Sequence, residues 1–207
     1  MVDTQVRPSD VTKFPIIDAM LTIPRERFVP QNRREAAYAG AHLDLGGGRV
    51  ILDPRIFAKL LDALDVQPDE LVLDVGCGLG YSTAVLARLA DFVFGLEEDP
   101  AMADEAQTIL SELGIDNAAV VTGPLAQGAA RSAPFDVIIL QGAVEQVPDA
   151  LVDQLREGGR IACIFAEGPL GVARIGLRLN GRIGWRFAFD AAAPVLPGLT
   201  IPHAFAL

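Results

Sequence analysis

The chain has 207 residues, of which 51% are hydrophobic and 21% charged, a composition typical of a folded domain with a sizeable core. Its formal charge of −10 argues against binding to nucleic acid, which needs clustered lysine and arginine. Two cysteines exclude a disulfide framework, and neither a membrane-length apolar run nor a secretory signal is present. We therefore expect a cytoplasmic protein made of one domain.

The first 66 residues predict mainly helix. Apolar residues recur on one face over residues 14–21, and a second amphipathic helix is predicted after Pro54. A short helix is expected over residues 33–38. Between them, residues 43–50 contain three consecutive glycines and predict a flexible connection.

From residue 71 onward, apolar runs alternate with helical patterns. Strands are predicted at 71–75, 92–96, 118–121, 135–140, 159–165, 171–179 and 182–189, and helices at 81–90, 101–113 and 148–155. The dipeptide Asn180-Gly181 predicts a hairpin between the last two strands. This alternation predicts an α/β fold with a doubly wound, mostly parallel, seven-stranded sheet, a helical N-terminal extension and an antiparallel C-terminal hairpin.

The first predicted strand ends in Asp74 and runs into the glycine sequence Gly76-Cys77-Gly78-Leu79-Gly80. Glycines at such a turn let the backbone approach a ligand closely. Glu97 ends the next strand, where a carboxylate can accept hydrogen bonds from ribose hydroxyls. This layout predicts a nucleoside-containing cofactor at the turn.

Two cofactor classes share that layout, and a purely structural loop is a third reading. A dinucleotide fingerprint requires a glycine where this chain has Tyr81. A G-x-G-x-G turn after a strand that ends in aspartate resembles the first motif of S-adenosylmethionine (SAM) dependent methyltransferases. An acidic surround, with Asp74 near the amine and Glu97 on the ribose, suits this positively charged cofactor.

Several segments together resemble the protein-L-isoaspartate O-methyltransferase family. They are residues 20–30 (MLTIPRERFVP, family V-P-R-x-x-F-V-P), 36–39 (AAYA, family A-Y-x-D), 47–54 (GGRVILDP, family G-Q-x-I-S-x-P), the loop 73–87, 133–139 (APFDVII, family A-P-Y-D-x-I) and 147–160 (VPDALVDQLREGGR, family I-P-x-x-L-x-x-Q-L-x-x-G-G-R). The resemblance covers residues 20–165 and implies a Rossmann-like SAM methyltransferase fold. It also implies an acceptor-side region over residues 1–66 and a cofactor-binding core over residues 67–207.

The resemblance assigns a set of site residues. The cofactor-binding residues it implies are Asp74, Gly76, Cys77, Gly78, Gly80, Tyr81, Ser82, Glu97, Gly123, Pro124, Leu125 and Gln141. The acceptor-site candidates are Leu52, Asp53, Pro54 and Gln141. No resident metal is implied, and His42 and His203 show no metal-ligand spacing.

The chain departs from the family pattern in three places. Leu52 replaces the acceptor-site serine of I-S-x-P, and residues 141–145 read QGAVE in place of small residues. Residues 123–125 read Gly-Pro-Leu where the family has G-D-G, so the acidic residue that the resemblance implies near the adenine edge of the cofactor is missing. We therefore expect a SAM-dependent O-methyltransferase with a diverged acceptor site and weak or absent isoaspartyl activity. Its acceptor would be a protein or peptide carboxylate, or a small molecule.

Other readings remain open at this point. A non-catalytic binding or regulatory protein that keeps the methyltransferase fold is the alternative from another class. We expect no nucleic-acid or membrane partner, and a monomer or a weak dimer.

Overall fold

A computed structural model describes residues 1–168 and 170–201. Its helices are α1 Phe14–Thr22, α2 Pro54–Leu64, α3 Tyr81–Ala87, α4 Pro100–Glu112 and α5 Asp149–Asp153. Its strands are β1 Leu43–Gly46, β2 Arg49–Ile51, β3 Leu71–Val75, β4 Phe92–Glu97, β5 Ala118–Thr122, β6 Phe135–Val144, β7 Leu155–Phe165, β8 Val172–Leu179 and β9 Arg182–Asp190. Short 3₁₀ helices lie at Arg25–Phe28, Gln31–Ala36 and Leu125–Gln127.

Strands β3 to β9 form one sheet in the order β5-β4-β3-β6-β7-β8-β9. Strands β3 to β7 pair in parallel, and β8 and β9 join the β7 edge antiparallel. The predicted doubly wound, seven-stranded sheet is confirmed. The strand order reverses beside β3, because the chain runs outward to β4 and β5 and then returns to β6. Ligands of such sheets bind at this reversal, in the crevice beyond the carboxyl ends of the two central strands, here β3 and β6.

Two apolar clusters lie on opposite faces of the sheet. Since successive side chains of a strand alternate between faces, Val72 packs with the N-terminal helices and α3, while Leu73 and Val75 pack on the face covered by α5. Asp74 shares the face of Val72 and is completely buried. A carboxylate at this position needs hydrogen-bond donors, and α3 supplies two of them and β6 the third.

The predicted flexible connection over residues 43–50 was wrong. This segment forms an antiparallel hairpin, β1–β2, in which Leu43 opposes Ile51. Both side chains are buried, so their packing outweighs the mobility expected from the glycines. Gly46, Gly47 and Gly48 form the turn, and all three have positive φ angles. The short helix predicted at 33–38 is the 3₁₀ helix Gln31–Ala36 instead.

After β9 the chain returns to the centre of the sheet through residues 194–199, here called the return segment. Ala143 of β6 donates its N–H to Pro194 O (2.8 Å) and accepts from Leu196 N (2.9 Å). Glu145 N donates to Leu199 O at 3.0 Å. Strand β7 pairs with the other edge of β6, so the return segment lies on the edge that faces β3.

Over the two described stretches of the chain, no helix combines the length and apolar character needed to cross a bilayer.

Candidate functional site

The glycine loop joins β3 to α3 at the crevice. Gly76, Gly78 and Gly80 have φ angles of 76°, 55° and 92°, values that side chains with a Cβ rarely adopt. Gly76 N and Cys77 N both donate to Leu96 O, at 2.8 and 3.2 Å, which holds the loop against the end of β4. The glycines predicted from the sequence therefore do form a sharp turn at the sheet's carboxyl edge.

Asp74 lies beneath this loop and accepts three side-chain hydrogen bonds. Ser82 Oγ and Thr83 Oγ1 donate to Oδ2 at 2.6 and 2.7 Å, and Gln141 Nε2 donates to Oδ1 at 2.6 Å. Burial raises the pKa of Asp74 to about 6, and the three donors oppose this rise. The structure thus brings together Asp74, Ser82 and Gln141, three residues assigned to one site.

Glu97 is also completely buried, and its carboxylate is saturated by the chain itself. Gly78 N donates to Oε2 at 2.9 Å, while Glu98 N and Asp99 N donate to Oε1 at 2.8 and 3.0 Å. The guanidinium of Arg49 adds Nε contacts of 3.0 Å to both oxygens and an Nη2 contact of 2.9 Å to Oε1. A carboxylate offers about four acceptor positions, so none is left for a ribose hydroxyl.

Arg49 was missed in the sequence analysis. It lies in β2 and is 3% exposed, so its charge is removed from water together with that of Glu97. A signal was present, because Arg49 stands where the family segment G-Q-x-I-S has glutamine. A charged residue in place of a neutral one beside a ligand site indicates a new electrostatic partner.

Two leucines cover the face of the loop that a cofactor would meet. A Cβ built on Gly76 would lie 3.0 Å from Leu196 Cδ2, and one built on Gly142 would lie 2.7 Å from Leu196 Cγ. Leu45 of the β1–β2 hairpin covers Gly78 in the same way, at 2.7 Å. Leu196 is buried in the same apolar cluster as Val75. No local pattern around residue 196 marks this contact, since its partners lie far away in the chain.

Cys77 and Tyr81 are buried at the two ends of the loop. The thiol is buried and lies near Asp74 and Glu97, so burial first and these charges second raise its pKa well above its usual value. The ring of Tyr81 packs edge-on against Phe28, with centroids 5.8 Å apart. Both side chains therefore support the loop from below.

Gly123 and Pro124 line a surface cleft of about 430 Å³ beside Leu96. Gly123 N donates to Glu97 O at 3.0 Å, which ties this segment to the end of β4. Leu125 turns inward and is buried. The cleft thus lies at the segment that the resemblance places near the adenine edge of the cofactor.

Three of the four acceptor-site candidates lie at the start of α2 and have structural partners, and the fourth, Gln141, lies in β6. Leu52 is 1% exposed, and its carbonyl oxygen accepts from Arg25 Nη2 at 2.8 Å. Asp53 caps α2, because its Oδ1 accepts from the N–H groups of Arg55 and Ile56. Pro54, the first residue of the helix, is buried. Their part in acceptor binding stays a prediction.

His42 joins the hairpin region to the chain after β9. Its Nδ1 accepts from Asp53 N at 3.0 Å, so the proton resides on Nε2, which donates to Ala192 O at 2.8 Å. His203 lies outside the described residues. Within the described ranges no three His, Cys, Asp or Glu side chains are grouped to hold a metal ion.

Comparison with known proteins places this geometry in a family. The profile of Protein-L-isoaspartate(D-aspartate) O-methyltransferase matches residues 3–168. The chain belongs to this family. It is 42% identical over 183 residues to the protein-L-isoaspartate O-methyltransferase of Koribacter versatilis, covering 88% of this chain and 82% of the relative. The enzyme of the same name from Methylorubrum populi is 37% identical and covers 94% and 90%.

Solved structures of the family share the fold. One protein-L-isoaspartate O-methyltransferase superposes with a TM-score of 0.83 at 24% identity; the match covers 94% of this chain and 64% of that protein. A proposed family member from Plasmodium falciparum, solved with S-adenosyl-L-homocysteine, superposes with a TM-score of 0.78 at 22% identity, covering 92% and 94%. The family consists of SAM-dependent O-methyltransferases, as the resemblance implied.

The residue types at the crevice suit SAM, but their arrangement leaves it no room. The glycine turn and the carboxylates Asp74 and Glu97 are present. In this conformation, however, Arg49 takes the acceptor positions of Glu97, and Leu196 and Leu45 lie on the loop. SAM therefore does not fit the crevice in the state described.

Proposed function

We propose that the chain is a SAM-dependent O-methyltransferase that methylates a carboxylate other than the usual isoaspartyl group. The observation that carries this proposal is the glycine turn between β3 and α3, flanked by the buried carboxylates Asp74 and Glu97, in a chain of this family. We further propose a cytoplasmic protein that exists as a monomer or a weak dimer.

The chemistry asks little of the side chains. When bound, SAM supplies an electrophilic methyl group. A carboxylate acceptor with a pKa near 4 is already ionised at pH 7, so no general base is required. The chain's task is to bind and orient two partners, which can lower a barrier by roughly 7–11 kcal/mol in favourable cases.

The residues at the start of α2 support a changed acceptor. Leu52 offers no hydroxyl where the family has serine, and its side chain is part of the core. The carboxylate of Asp53 is engaged with the first turn of α2 and would repel a carboxylate. We infer that the acceptor carboxylate belongs to a different kind of peptide residue or to a small molecule.

A labelling assay tests this function. The protein is incubated with methyl-labelled SAM and matched peptides that contain aspartate or isoaspartate, and with simple carboxylic acids. We expect base-labile label, the mark of a carboxyl methyl ester, with isoaspartyl turnover at least about tenfold below that of a relative assayed in parallel. Turnover equal to that of the relative would contradict the diverged acceptor.

A second candidate is a non-catalytic binding protein, which the filled crevice favours. The internal partners of Glu97 and the leucines over the loop are those expected of a fold that has lost its cofactor. Calorimetric titration with S-adenosylhomocysteine separates the two functions. No binding at millimolar concentration, to the natural chain or to the variants described below, would favour the binding protein.

A further inference from the structure

We propose that Arg49 and the return segment form an internal occupant of the cofactor crevice, which SAM must displace before it binds. This inference rests on the proposed function. It adds that the chain alternates between a closed state, described above, and an open one.

The return segment lies where a ligand of this fold would lie. Strand β3 leaves the sheet at Val75, and β6 continues to Val144, so the edge of β6 beyond Leu140 has no strand beside it. The return segment takes this edge through the two hydrogen bonds of Ala143, and it inserts Leu196 between Gly76 and Gly142. The crevice at the reversal point of the sheet is thus filled by the chain itself.

Arg49 blocks the part of the crevice in which Glu97 would bind the ribose of the cofactor. Its guanidinium meets Glu97 through contacts of 2.9–3.0 Å in a buried setting, and it approaches Glu98 at 3.6 Å. Ribose hydroxyls can donate to Glu97 only if Arg49 withdraws, because the carboxylate has no acceptor position left. The Arg49 side chain and the cofactor therefore compete for one group.

The two parts of the occupant lie next to each other. A Cβ on Gly48 would lie 3.3 Å from Pro197 Cγ, and His42 Nε2 donates to Ala192 O. The β1–β2 hairpin forms its own two-stranded sheet, apart from the seven-stranded one. Segments with few ladder hydrogen bonds open at lower free energy than core strands. We expect the hairpin and the return segment to open together.

The closed state reduces the apparent affinity of the protein for SAM. When only a fraction of molecules is competent to bind, the apparent dissociation constant rises by the inverse of that fraction. A substitution that weakens the closed state raises the fraction and tightens binding, even though it destroys native contacts. A substitution at a residue that only stabilises the fold would not tighten cofactor binding.

Titration calorimetry with SAM and S-adenosylhomocysteine is the test. The variants are Arg49→Gln, which restores the residue type of the family segment, Leu196→Ala, and the two combined. The matched controls are Arg88→Gln, which breaks an exposed ion pair between the end of α3 and Asp18 of α1, and Leu151→Ala, which shortens a buried leucine of α5 in the same apolar cluster as Leu196. We expect the combined variant to bind S-adenosylhomocysteine at least about tenfold more tightly than the natural chain, and each control to stay within about twofold.

Two results would overturn the inference. Tight binding by the natural chain with no gain in the variants would show an open crevice and leave the proposed function intact. No binding by any folded variant at millimolar ligand would show that no cofactor site lies behind the occupant, and the proposed function would fail with it.

If a variant does not fold, hydrogen exchange of the natural chain tests the inference instead. With S-adenosylhomocysteine at saturating concentration, the Leu196 amide should lose the protection that its bond to Ala143 gives. Unchanged protection of that amide, with ligand bound, would contradict displacement.

Discussion

At the scale of single residues, the site is defined by two buried carboxylates that have different kinds of hydrogen-bond partner. Glu97 has a cationic partner in Arg49, whereas Asp74 has only neutral donors from Ser82, Thr83 and Gln141. Neutral donors offset desolvation incompletely, which is why the pKa of Asp74 rises to about 6 from an ordinary value of 3.8.

Asp74 should make the folded state less stable as pH rises. A group whose pKa is raised on folding binds more protons in the native state, so its contribution is complete below about pH 4 and is lost as pH rises through about 6. A rise from 3.8 to about 6 corresponds to about 3 kcal/mol.

The Asp74→Asn variant isolates this effect, because the amide has the same shape and does not titrate. Denaturant unfolding at pH 4 and pH 7 should show that the natural chain loses stability relative to the variant over this interval, by up to about 3 kcal/mol. A difference independent of pH would mean that Asp74 keeps its ordinary pKa.

At the scale of elements, the sequence predicted what depends on local periodicity and missed what depends on distant partners. Strand β3 was predicted at its observed bounds from its apolar run, and the glycine turn from its spacing. The β1–β2 hairpin was missed because the three glycines were interpreted as a flexible segment, whereas the flanking Leu43 and Ile51 pair and are buried. Arg49 meets Glu97 across 48 residues of sequence; its replacement of the family's glutamine indicates a changed partner but does not identify Glu97 as that partner.

Gly142→Ala tests how the return segment packs on β6. A Cβ at this position would lie 2.7 Å from Leu196 Cγ and 3.0 Å from Pro194 O, so we expect a loss of about 1–3 kcal/mol in the free energy of unfolding. Gly184→Ala in β9 is the matched control, because a Cβ there meets nothing within 4 Å and the change should stay within about 0.5 kcal/mol. Equal stability of the two variants would place the return segment away from β6.

At the scale of the whole molecule, the negative charge is concentrated in one stretch of the sequence. Residues 91–155 contain 12 acidic and 1 basic side chain and supply β4, α4, β5, β6 and α5. The sheet edge at β9 carries Arg182 and Arg186, and Glu145 and Asp149 line the same cleft as Arg182. Acidic and basic side chains therefore lie together at this edge, and the charge is not divided between two halves of the molecule.

The β9 edge should keep the molecule largely monomeric. Two β9 strands that pair edge to edge would bring their arginines together, although the exposed Phe187 favours weak association. Sedimentation velocity at about 10 μM should give a mass near 22.0 kDa, with dimer only at concentrations at least tenfold higher. Phe187→Ser should remove that dimer, and Phe14→Ser, an exposed phenylalanine on α1, should not. A stable dimer at 10 μM would contradict this expectation.

The return segment is synthesised after the glycine turn that it covers. Leu196 follows the Gly76 that it covers by 120 residues, a stretch that a ribosome makes in roughly 6–24 s. Every new chain therefore passes through a period in which the residues of the glycine turn have been made and Leu196 has not. A ligand that reaches the crevice during this period does not have to displace Leu196.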